Sequence, residues 1–99
     1  MSLDNNYPTK QKGKHMTEQF KIYDKQEPTY DEAKEFIGGY IQSVPLENGD
    51  RLLCDEEGKL KGLPLNPHAQ KHWDESWGEG TDVIVGKAIL VKGAVNQGW

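Results

Sequence analysis

The chain has 99 residues, 34% of them hydrophobic, one cysteine and a formal net charge of −4. That length accommodates one domain around one small core, and a lone Cys54 excludes an intrachain disulfide framework and suits a reducing compartment. The negative charge argues against a nucleic-acid groove, which needs a basic face, and no apolar run approaches the roughly 20 residues of a membrane-spanning helix.

Residues 1–17 are polar, with scattered Gly and Pro, and read as a disordered head. Lys10, Lys12 and Lys14 against Asp4 put residues 1–16 at +2, which leaves −6 on the remainder. The opening Met-Ser-Leu resembles a start added for expression, with Met16 as the candidate natural initiator. No secretory h-region precedes the domain, so cytoplasmic placement is expected. From residue 18 to residue 99 the pattern is that of a single folded domain.

The alternation in Gln19–Tyr23 predicts a short edge strand. A helix follows, with Thr29 as its N-cap, Glu32 as capping-box partner, Asp31 near the positive end of its dipole, and Gly38 closing it. Tyr30, Ala33, Phe36 and Ile37 fall at helical spacing and form its expected buried stripe. Asn48-Gly49 is a strong hairpin signal. A two-residue turn there pairs Leu46 with Arg51 and Val44 with Leu53, and Pro45 makes the first strand an edge or a bulged strand. Asp55-Glu56-Glu57-Gly58 reads as a second tight turn, after which Leu60 and Leu63 continue a meander. Asn66-Pro67 opens a second helix that runs to about Gly78. The branched, apolar Asp82–Val91 run is the expected central strand, with Gly86 as a bulge or a point of close approach. The expected fold is therefore α+β: a small, mostly antiparallel sheet of three to five strands, packed with two short helices.

Chemistry-bearing residues are few. His68 and His72 share one helix face at metal-ligand spacing, but Ala69 stands where a metalloprotease helix carries glutamate. Two solvated histidines explain the spacing, and no metal or other cofactor is expected. Trp73 and Trp77 repeat the same offset and serve either as core or, with Tyr30 and Tyr40, as a contact surface. Trp99 is a further large residue available for self-association. Asp50, Asp55, Glu56 and Glu57 lie at turns, and charged turns need no ligand to explain them. Cys54 beside Leu52 and Leu53 reads as strand packing, without the basic neighbour that would activate a thiol.

The run Gly38–Pro67 followed by Asp82–Val91 resembles an uncharacterised family of phage and mobile-element domains, the domain of unknown function DUF3846. The shared features are Gly-Gly-aromatic, a hydrophobic-Pro-Leu strand, the Asn-Gly turn, Asp-Glu-Glu-Gly, a Leu-Pro-x-Asn segment and a closing Asp-Val-Ile-Val-Gly. That resemblance implies a phage or mobile-element origin and a cytoplasmic accessory role. It carries no activity, cofactor or catalytic residue.

With no catalytic motif present, the expected function is a non-enzymatic interaction module acting on a protein partner or through self-association. Its expected surface comprises Trp73, Trp77, His72, His68, Tyr40, Asp50 and Asp55. One alternative is a small-molecule or nucleotide site between helix 66–78 and the sheet. The other is a structural or assembly component.

Overall fold

The computed structural model describes residues 18–99, so the expected disordered head, residues 1–17, lies outside the described residues. The elements in order are β1 (Phe20–Tyr23), α1 (Tyr30–Ile37), β2 (Ile41–Pro45), β3 (Arg51–Asp55), α2 (Pro67–Trp77) and β4 (Ala88–Val91). They form an α+β fold with one mixed sheet in the order β1-β4-β3-β2. β1 runs parallel to β4, and the β4–β3 and β3–β2 pairs are antiparallel. β1 and β2 are therefore the edges.

The central strands are apolar over Leu52–Cys54 and Ala88–Val91 because both of their faces are covered there. Side chains alternate across a strand. Leu52, Cys54, Ala88 and Leu90 accordingly pack on one side with Phe20, Leu46, Ile84 and Ala69 of α2. Leu53, Ile89 and Val91 pack on the other with Ala33 and Ile37 of α1. The sheet is thus the middle of three layers. Each fully buried Leu or Ile there contributes about 1.5–3 kcal/mol relative to exposure.

Both helix starts form as their sequences dictate. Thr29 Oγ1 accepts from the Glu32 N–H at 3.1 Å, and Glu32 Oε1 accepts from the Thr29 N–H at 2.9 Å. In the α1 stripe Ala33 and Ile37 are buried, whereas Tyr30 is exposed and stacks on Trp99 with ring centroids 6.4 Å apart. Asn66 Oδ1 accepts from the Ala69 N–H at 3.0 Å. Its Nδ2 donates to the carbonyls of Gln19 and Gly86 at 2.9 and 2.8 Å, so one buried amide both caps α2 and fastens it to the residue before β1 and to the approach to β4.

Three local expectations are corrected. The β2–β3 hairpin pairs Val44 with Leu52 and Pro45 with Arg51, one residue away from the register of a two-residue turn. The cause is a three-residue loop. Gly49 N–H donates to the Leu46 carbonyl at 3.1 Å, Leu46 N–H donates to the Asp50 carbonyl at 2.8 Å, and Gly49 takes φ 97°. This is a glycine-bulge hairpin.

The meander past Gly58 is absent. The Asp55–Gly58 turn forms, closed by Gly58 N–H to the Asp55 carbonyl at 3.0 Å, but the chain then coils through further turns. Lys61 N–H bonds the Glu57 carbonyl and Leu63 N–H bonds that of Gly58, while the Lys61 ammonium reaches back to Asp55 at 2.7 Å. Leu60 is left 88% exposed. Finally, only the last four residues of Asp82–Val91, Ala88–Val91, are β4. At Gly86, φ is 79° and a Cβ would lie 2.7 Å from Leu63 Cδ1. The chain bends there, and Val85 makes an isolated bridge to Leu65 instead.

Candidate functional site: an open sheet edge

The observed register decides which backbone groups of β2 face away from the sheet. Leu46 donates to Asp50 and Tyr40 accepts from Glu56, so the even-numbered residues between them point their N–H and C=O groups at β3. Ile41, Ser43 and Pro45 therefore point theirs outward. Pro45 has no N–H, and its carbonyl accepts from Trp77 Nε1 at 3.0 Å. Among the described residues none bonds the outward N–H and C=O groups of Ile41 and Ser43. β2 also has no charged side chain, although charged residues are a common guard on a sheet edge.

Large side chains bracket this open stretch. Tyr40, 62% exposed, stands at one end, and Trp77, 43% exposed, at the other. The Tyr40 ring carries the Lys34 ammonium at 4.8 Å from its centroid. Trp77 leans on Trp73 at 6.3 Å, with the ring planes tilted by 52°. Trp73 is half-buried and fixed by its Nε1 donating to Thr81 Oγ1 at 2.7 Å.

Beside β2, on the α2 side, lies a cleft of about 160 Å³, lined in part by Gln42, Val44, Cys54, Trp73, Asp82 and Ile84. That volume is smaller than the roughly 300–1,000 Å³ of a site for a drug-sized molecule, and suits a single side chain. Apart from Glu56 at the rim, its ionisable groups are committed. Burial pushes the Cys54 thiol up to about 11, with Asp55 and Asp82 adding to the effect, so no thiolate nucleophile stands there at neutral pH. At Asp55, burial acts upward, but the Lys61 ammonium and the Glu57 N–H outweigh it and hold the carboxyl below its usual range. The Lys59 ammonium, 2.5 Å away, does the same for Asp82.

The residues singled out from sequence are dispersed rather than assembled. Trp73 and Asp55 line the cleft, with Trp77 and Tyr40 at the two ends of β2. His68 and His72 instead stack on Phe20, at 6.0 and 5.6 Å, near the opposite edge, where they border a separate depression with Lys71 and Glu75. Burial lowers the affinity of His72 for a proton. Among the described residues no group of three or more potential metal ligands occurs. Asp50 is buried under the hairpin loop, accepting from Gly93 N–H at 2.7 Å, Lys92 Nζ at 3.0 Å and Asn48 Nδ2 at 3.2 Å. It locks the loop to the chain leaving β4. Trp99 is held inside its own chain, its Nε1 donating to the Pro28 carbonyl.

Sequence reasoning missed Ile41, Ser43 and the cleft walls Val44 and Ile84. The uncharged Ile41–Pro45 strand ending in proline was the available signal, but its outward set depends on the register.

Fold and site together define a small three-layer α+β domain with one sheet edge left open beside a narrow cleft. The chain belongs to the family described as Domain of unknown function (DUF3846), which matches residues 11–98. No curated protein matches the chain, and neither does any solved structure. Among the described residues no helix is long and apolar enough to cross a membrane.

Proposed function

We propose that this domain is a non-enzymatic protein-interaction module, of phage or mobile-element type and cytoplasmic, that binds an extended segment of a partner protein by strand addition to β2. The observation carrying this reading is the pair of residues, Ile41 and Ser43, whose outward N–H and C=O groups have no partner among the described residues, on an uncharged edge. An extended peptide satisfies such groups with its own backbone. Tyr40 and Trp77 at the ends of β2 supply the residue types that most often anchor interfaces. The commitment of Cys54, Asp55 and Asp82 favours binding over acid–base or nucleophilic chemistry.

Four new backbone hydrogen bonds, each worth about 0.5–1.5 kcal/mol net, give only weak binding by themselves. Affinity and choice of partner then fall to the side chains that enter the cleft. The test is selection of random displayed heptapeptides on the protein, followed by N-methylation of a selected peptide at each position in turn. Strand addition predicts that methylation at alternate residues weakens binding about tenfold or more, while the intervening ones tolerate it. Failure to select any peptide, or a uniform response to methylation, contradicts the reading.

A further inference from the structure

The side chains of an added strand alternate between the two faces of the extended sheet. Residues of that strand opposite Gln42 and Val44 project on the same side as Gln42 and Val44 themselves, which is the cleft side. Every second residue of the partner segment is thus presented to the cleft or beside it. What the cleft accepts is set by its lining.

Its apolar lining includes Val44, Ile84 and the Trp73 ring. Its charged lining consists of Asp55, Glu56 and Asp82 against one cation, Lys59. Lys59 is already bonded to Asp82, and Asp55 to Lys61 from outside the lining. Glu56 is exposed and makes no ion pair among the described residues. The Cys54 thiol at the cleft is disfavoured as a thiolate first by burial and then by Asp55 and Asp82, which Lys59 only opposes. The field in the cleft is therefore negative.

We propose that the cleft is a subsite for a lysine or arginine side chain, carried by the extended segment that pairs with β2. The inference rests on the strand-addition reading and adds the chemical class of the partner. An aliphatic stem lies along Val44 and Ile84, as long cationic side chains do on apolar surface. The cationic end meets Glu56 at the rim, and the Trp73 ring offers a face for a guanidinium. A carboxylate in the same position faces a net like charge. A neutral straight chain gains the apolar contacts and forgoes the charge.

The test uses terminally capped heptapeptides of alternating threonine and valine, with lysine, arginine, norleucine or glutamate at the central position. Binding is read from the tryptophan fluorescence of the full chain and, independently, from amide shifts. The lysine and arginine peptides should bind about tenfold more tightly than the norleucine peptide, and the glutamate peptide more weakly still. Glu56→Gln should reduce the lysine preference several-fold while leaving the norleucine affinity in place. Equal binding of the lysine and norleucine peptides, with the alternate N-methylation pattern intact, overturns the cationic subsite and leaves strand addition standing. Loss of that pattern, or no binding by any of the four, removes both.

Discussion

The two faces of the sheet are covered to different extents. On the α1 face, Leu53, Ile89 and Val91 lie under Ala33 and Ile37, and Tyr23, Phe36, Ile41, Val95 and Trp99 extend the cover outward. The chain after β4 completes it, because Ser43 Oγ donates to the Trp99 carbonyl at 3.0 Å while accepting from Arg51 Nε at 2.9 Å. On the α2 face the cover is equally complete over Phe20, Leu52 and Leu90, but it gives way to a cleft beneath β2. The same strand is therefore sealed on one side and open on the other. Apolar area on the sealed side acts in folding, and what remains on the open side is available to a partner.

The contrast breaks most visibly at the sealed core. Leu53→Ala should cost about 2–5 kcal/mol in urea denaturation, since Leu53 is fully buried between sheet and α1. A loss under about 1 kcal/mol would mean that this face is loosely packed. Next comes the lock at Asp50. Asp50→Ala removes charge-assisted bonds to Lys92 and Gly93 and should cost about 2–3 kcal/mol, again by denaturation. An unchanged midpoint would deny that the buried carboxylate holds the hairpin loop.

Acid should reveal the same lock. For Asp50, burial acts upward, but the Gly93 N–H, the Lys92 ammonium and the Asn48 amide outweigh it and lower the pKa; Asp55 is lowered too. An unfolded aspartate titrates near about 3.9, so their contribution is present above that pH and is lost as the pH falls through the lower folded values. His72 is also lowered, by burial, with Glu75 opposing. Its contribution is full above about pH 6.5, the unfolded value, and declines below it. The melting temperature should thus sag slightly below about pH 6.5 and fall steeply below about pH 4. A flat profile down to pH 3 would contradict the assignment.

The smallest effects belong to the open side. Trp77→Phe removes one hydrogen bond to the Pro45 carbonyl and should cost about 0.5–1.5 kcal/mol. Gln42→Ala, on the exposed edge, should stay within about 0.5 kcal/mol. If Gln42→Ala destabilises as much as Leu53→Ala, the two faces do not differ.

What the sequence revealed follows from the range of the forces involved. The Thr29–Glu32 capping box, the Asn66 cap and the Gly38 and Gly78 helix ends were legible because each closes within a few residues. The interior placement of Ala88–Val91 was legible from its unbroken apolar run. The hairpin register was not, since Asn48-Gly49 is compatible with loops of two or three residues, and the Asp50 lock to Lys92 and Gly93 comes from 42 and 43 residues away. The exposed coil at Leu60 reflects a Lys61–Asp55 ion pair that no periodicity encodes. For the site, the aromatic residues Trp73, Trp77 and Tyr40 were legible as candidates from type alone. Their relation to the β2 edge was not, because the Trp77–Pro45 bond spans 32 residues.

Amide hydrogen exchange along β2 tests the open edge most directly. Without peptide, the Ile41 and Ser43 N–H groups should exchange fast while those of Gln42 and Val44, bonded to β3, exchange slowly. Saturation with the lysine heptapeptide should slow Ile41 and Ser43 by about tenfold or more. Amides at Ile41 and Ser43 that are already slow in the free protein, or that stay fast at saturation, would contradict strand addition at β2.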